Sequence, residues 1–117
     1  PNFDLIEQIS EKLDLIGYYV FTTDSNATDK DATTRMFAPR YGIEEESATG
    51  MAAGPLACVL HDFLDGDKTE FQIEQGKFMH VPSVSSIHVD LSINDNKISG
   101  LMAGGKGKML KQVVIDI

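Results

Sequence analysis

The stretch EEESATGMAAGPLACVL, residues 44–60, sets three carboxylates against a nearly uncharged run of small and apolar residues. Thr49-Gly50 is a start for a helix running to about Leu64, with Pro55 near the first turn, where a missing amide proton costs least. Ala52, Ala53, Gly54, Ala57 and Cys58 make a small-residue face, Leu56, Val59, Leu60 and Phe63 fill the other, and His61 and Asp62 lie at the far end. A helix apolar all round is a buried helix. Its small residues let strands approach closely, so the segment predicts a sheet wrapped around a central helix.

The flanking sequence supplies that sheet. Residues 4–16 carry Leu5, Ile6, Ile9, Leu13 and Ile16 at helical spacing, with Asp4 and Glu7 as a capping box and Gly17 as the stop. Tyr18–Thr23 reads as a strand, residues 24–34 as a polar loop without core-forming residues, and Arg35–Ala38 as a short strand ended by Pro39. Beyond the central helix, residues 65–67 mark a turn, and Glu70–Glu74 and Ser86–Ile93 read as strands. In the latter, Ile87, Val89, Leu91 and Ile93 alternate with polar neighbours, which buries one face. Asn94-Asp95-Asn96 is a turn, and residues 97–103 and 109–117 give two closing strands. The expected fold class is α+β, one unit over residues 1–117, with mostly antiparallel pairing.

Composition narrows the function classes. A chain of 117 residues holds one domain with a modest core. Ten basic against eighteen acidic residues give a net charge of −8, which argues against a nucleic-acid partner. No apolar run is long enough to span a bilayer, so no membrane partner is expected. The opening PNFDLIEQISEK lacks the basic start and apolar core of a secretory signal. With Cys58 alone there is no internal disulfide and no cysteine-based zinc site, and the expected setting is reducing and cytoplasmic. The chain opens on Pro1, as a processed piece or a segment of something longer would.

The helix start is the candidate site. Its unbonded amides need partners, and the dipole there favours negative charge. One reading makes the acidic triplet a solvated loop that compensates the helix end. The other has the amides of Gly50, Met51 and Ala52 hold a ligand carboxylate. The residues alone leave both open. Other candidates fall away. GLMAGGKG, residues 100–107, follows a phosphate-loop pattern until Gly107 stands where Ser or Thr must hold magnesium, and a hairpin turn is expected there. His61, His80 and His88 lack close metal-ligand spacing, so no metal site is expected. Cys58, on an apolar helix, reads as a small buried hydrophobe with a raised pKa.

The segment RMFAPRYGIEEESATGMAAGPLACVL, residues 35–60, resembles the signature of the PhzF family of phenazine-biosynthesis-type isomerases, R-x-F-x-P followed by G-I-x-E-[DE]-x-A-T-G-S-A-x-G-x-L. QGKFMHVPS, residues 75–83, is similar to that family's Q-G-x-x-M-x-R-P-S, and Gly104-Gly105 to its late glycines. The resemblance implies a diaminopimelate-epimerase-like fold of two similar lobes, each a sheet around a helix, with the active site between them. It matches the carboxy-terminal lobe, so the family's general base, a glutamate, is expected in a missing amino-terminal lobe. Carried over, Glu46 becomes the acidic group that moves or holds a proton, and Thr49 and Gly50 the turn that receives a substrate carboxylate, next to the Met51 and Ala52 amides of the helix start. Thr49 stands about where related racemases carry a catalytic cysteine, so no thiol chemistry is implied. Met51 replaces the usual serine and Val81 the usual arginine, departures that bear on substrate and activity.

The expected function is therefore half of a cofactor-independent isomerase or epimerase, acting by acid–base proton transfer on a small carboxylate-bearing substrate. Its expected partners are the other lobe or a second copy in a homodimer. The alternative is a non-catalytic, single-lobe carboxylate-binding or scaffold module, to which Met51 and the short chain point.

Overall fold

A computed structural model describes residues 1–117. The chain runs α1 (Phe3–Leu13), β1 (Tyr18–Thr22), β2 (Ala32–Ala38), a 3-10 turn (Pro39–Tyr41), β3 (Ile43–Glu46), α2 (Gly50–Phe63), β4 (Glu70–Gln75), β5 (Ser85–Asn94) and β6 (Lys97–Gly104). The strands form one curled sheet in the order β1-β2-β4-β5-β6, with β3 paired to β2. Every pairing is antiparallel except β2 with β4. The α+β class and the antiparallel bias hold.

The site depends on how β2 shares its second edge. Its first half, Ala32–Thr34, pairs with Ile73–Gln75 of β4, and its second half pairs with β3, Met36 lying opposite Glu46. Because β4 runs parallel to β2 and β3 antiparallel, the carboxyl ends of β3 and β4 meet head to head at the middle of β2. Asp31 anchors the other end of the β2–β4 pairing: its Oδ2 accepts from the Gln72 amide at 2.7 Å and its other oxygen pairs with Lys68.

The sheet curls over α2. Ala53, Leu56, Ala57 and Leu60 of α2 pack with Ala32, Phe71, Ile73, Ile87, Val89 and Leu91, so the alternation read in β5 is the buried face as far as Leu91, while Ile93, past a register shift, is exposed. Each such leucine contributes roughly 1.5–3 kcal/mol of burial. The small residues do set the approach: a methyl on Gly54 would lie 2.8 Å from Leu101 Cδ1 of β6.

Several expectations change. The helix is not enclosed: Met51, Pro55, Val59 and Phe63 form a solvent-facing stripe, Met51 being 89% exposed. Pro55 occupies the sixth helical position rather than the first turn. It lies on that open stripe, where water can reach the Met51 carbonyl that loses its donor. Asn2, not Asp4, caps α1, its Oδ1 accepting from the Leu5 amide at 3.0 Å, and Asp14 in the left-handed region ends it. Gly17 serves a different need, since a Cβ there would meet the Phe37 carbonyl oxygen at 2.1 Å.

β2 begins at Ala32, inside the expected loop, with Thr33 and Thr34 buried. Thr34 can be buried because its hydroxyl donates to the Glu74 carbonyl at 3.0 Å. Residues 43–46 form a strand where acids alone suggested loop. Residues 109–117 form none, and Gly104 ends β6 instead of opening a hairpin. Strand propensity acts only where a pairing edge and a covering face are offered. Here Leu110, Val114 and Ile117 face solvent.

Candidate functional site

β3 sorts the acidic triplet by alternation. Glu45 turns to Arg35, accepting from its Nε at 2.8 Å and its Nη2 at 3.0 Å, a forked pair that raises the arginine pKa further above its ordinary value. Glu46 turns the other way and lines a cleft of about 550 Å³ at the start of α2. The cleft's wall is mostly apolar, built from Tyr19, Met36, Ala38, Tyr41 and Ile43, with Thr49 to Ala52 at the helix end. Burial pushes the Tyr19 phenol above its ordinary pKa.

The helix start is held from behind. Thr49 Oγ1 donates to Glu46 Oε2 at 2.7 Å, while Gln75 Nε2 donates to the Glu46 carbonyl at 2.7 Å and to Thr49 Oγ1 at 2.9 Å. Ser85 Oγ donates to the Ser47 carbonyl at 2.6 Å. Gly76, at φ +84, lets the chain turn under this loop, where any Cβ would meet the Ser83 carbonyl at 2.0 Å. The carbonyls of residues 46 and 47 thus take hydrogen bonds from the sheet, which tie the loop to it.

The amides remain open. Thr49 makes no side-chain cap, because its hydroxyl turns to Glu46, so the acids do not compensate the helix end by capping it. Ala52 and Ala53 donate to the Thr49 carbonyl at 3.2 and 3.0 Å. Gly50 and Met51 have no internal acceptor, so of the amides expected to receive a carboxylate, these two are free and that of Ala52 is taken. The structure therefore brings Glu46, Thr49, Gly50, Met51 and Ala52 together at one cleft. Two donors and a helix dipole at one end of an apolar hollow suit a carboxylate, and Glu46 stands beside them.

Sequence reasoning gave Gln75 no role, although it opens the QGKFMHVPS segment. Its place depends on the β2–β4 pairing, which no local pattern displays. His80 lines a second depression with Arg35 and Glu45 and does not line the cleft. His88 was expected without ligand-type neighbours, but strand pairing brings it within 4.8 Å of Glu70 and Asp90. Both its nitrogens are engaged, Nε2 with Asp90 at 3.0 Å and Nδ1 with Gln72 at 2.6 Å. Cys58 is partly exposed, its thiol pKa raised by burial and then by the charge of Asp62. No helix is long and apolar enough to cross a membrane.

Comparison with known proteins identifies the family and the fold. Residues 1–110 match the PhzC-PhzF family, phenazine biosynthesis-like protein. The chain is 35% identical over 107 residues to an uncharacterized isomerase of Clostridium acetobutylicum, covering 86% of this chain and 35% of the relative. It is 29% identical to the uncharacterized isomerase YddE of Salmonella typhimurium, covering 94% of this chain and 37% of the relative. The chain thus spans about a third of the length of these curated relatives. A Bacillus anthracis phenazine biosynthesis protein of the PhzF family shares the fold, with a TM-score of 0.60 and 20% identity over 90% of this chain and 36% of that one. The α+β lobe is the expected diaminopimelate-epimerase-like one, and the chain belongs to the PhzC-PhzF family of phenazine biosynthesis-like proteins.

Proposed function

We propose that this lobe supplies one wall of the active site of a cofactor-independent isomerase or epimerase that moves a proton on a small carboxylate-bearing substrate. The observation that carries the reading is the pairing of Glu46 with the open amides of Gly50 and Met51 in one apolar cleft. The amides receive the substrate carboxylate and stabilise charge that develops next to it as a proton leaves the neighbouring carbon. Glu46 accepts or returns that proton. The apolar wall strengthens both effects by excluding water. Relatives called isomerases support the reaction class.

A proton taken from one face of a carbon and returned on the opposite face needs a second acid–base group facing Glu46. That group comes from an amino-terminal lobe or from a second copy in a homodimer. The working setting is the cytoplasm, where the single cysteine stays reduced. The non-catalytic alternative, a carboxylate-binding or scaffold module, draws on Met51, whose side chain is 89% exposed at the helix start and offers no hydroxyl to a substrate.

The test is solvent-deuterium incorporation. A panel of small α-amino and β,γ-unsaturated carboxylic acids is incubated in D₂O with the lobe and its completing partner. Deuterium at the carbon beside or vinylogous to the carboxylate is expected for at least one acid. Saturable binding of the panel without incorporation into any member would favour the binding module instead.

A further inference from the structure

The hydrogen bonds around Glu46 have one consistent direction. Gln75, the last residue of β4, is wholly buried, and its Nε2 lies 2.7 Å from the Glu46 carbonyl oxygen. A carbonyl only accepts, so this contact fixes the orientation of the Gln75 amide, nitrogen toward the loop. The same nitrogen lies 2.9 Å from Thr49 Oγ1 and gives its second proton there. Thr49 has a single hydroxyl proton, and the remaining partner is Glu46 Oε2 at 2.7 Å. The carboxylate thus accepts at Oε2 from a donor that is itself held from behind. Glu46 Oε1 has no partner in the chain.

A second observation concerns the far end of the same amide. Gln75 Oε1 is buried without a hydrogen-bond partner. A buried, unpaired acceptor carries a desolvation cost that an apolar side chain of equal length would avoid. What offsets that cost at this position is the work of the nitrogen.

We infer that Gln75 is a positioning residue which, acting through Thr49, confines proton exchange at Glu46 to Oε1. The inference rests on the reading of Glu46 as the acid–base group. A proton placed on Oε2 would face the Thr49 hydroxyl proton, which has no other acceptor in the chain and would have to leave Glu46 and turn into the cleft. Glu46 therefore takes and returns protons through one oxygen, at one place in the cleft. The strand junction matters for that reason: the head-to-head meeting of β3 and β4 puts Gln75 behind Thr49.

The experiment uses this chain labelled with ¹³C at glutamate side-chain carboxyl carbons, with Glu46 assigned by loss of its signal in Glu46→Gln. Thr49→Val removes the donor at constant shape, and Gln75→Met removes the amide at constant length. Each is expected to move the Glu46 signal in the same direction. The double variant should move it no further than Thr49→Val alone, and Thr49→Ser should restore it. If Gln75→Met does not fold, Gln75→Glu draws the Thr49 proton away and should give the same shift. A Glu46 signal unmoved by the Gln75 change, or shifts that add fully in the double variant, would overturn the inference. In the assembled protein, Gln75→Met should lower kcat for deuterium exchange about 10- to 100-fold with KM nearly unchanged. A loss carried by KM alone would also overturn it. Because the carbon signal is read without substrate, the two failures separate: a coupled shift with wild-type exchange in Glu46→Gln would remove Glu46 from catalysis while leaving the relay intact.

Discussion

Glu46 reaches the cleft because it is one step along a strand from Glu45, which is spent on Arg35. The amides beside it make a direct prediction. Titrating ¹⁵N-labelled chain with acetate or citrate should shift the Gly50 and Met51 amides first and most, and the Ala52 amide less, since it already donates to Thr49. Shifts scattered over the surface, with none at Gly50 and Met51, would count against a carboxylate cradle. Cys58 gives a second residue-level prediction. Its folded-state pKa is raised, so a smaller thiolate fraction exists at any pH than for an unfolded thiol. Labelling of the native chain should be slow near neutrality and keep accelerating at pH values where a free thiol has levelled off. The sign for stability follows: the neutral thiol's contribution is present below the unfolded-state pKa and is lost as pH rises through the raised one.

At the scale of elements, α2 and the β3–β4 junction carry the fold. Leu60 sits among Ala32, Phe71 and the β5 face, so Leu60→Ala should cost about 2–5 kcal/mol in chemical denaturation. Gly76→Ala should cost about 1–3 kcal/mol from its positive φ alone. The Ser83 carbonyl 2.0 Å from the new methyl adds to that, and the loss should spread to the anchored loop at Ser47. A neutral result at Gly76 would mean that the turn is not tightly set. These elements were unequally legible in the sequence. β5 could be read because Ile87, Val89 and Leu91 alternate, and α2 because its small residues had no other use. The candidate residues from Glu46 to Ala52 could be placed through motif resemblance, and they do share one cleft. Three elements misled. Ala32–Thr34 looks polar until the β4 partner satisfies Thr34, and Ile43–Glu46 looks like loop because Glu45 finds its partner only across the sheet. Residues 109–117 have strand-like composition and no edge to join. Gln75 was invisible for the same reason, since its role exists only through a contact 26 residues away.

The molecule as a whole is open. Its radius of gyration is 16.1 Å, whereas a closed globule of this length has about 13 Å. Part of the difference lies in residues 105–117 with their exposed apolar side chains, and the α2 stripe of Met51, Val59 and Phe63 is uncovered too. Apolar surface of this extent favours association. Sedimentation of the 117-residue chain over a dilution series should show self-association, or a 1:1 complex when an amino-terminal lobe is supplied; a monomer that ignores that lobe would contradict the expectation. The central claim, that Glu46 transfers protons in a site needing both walls, is tested most directly by one exchange assay. The assembled protein and its Glu46→Gln variant are compared, in D₂O, with the lone chain. The expected result is exchange by the assembled protein alone, with the variant slowed about 10²-fold or more. Exchange by the lone 117 residues, or an unchanged rate in the Glu46→Gln protein, would contradict it.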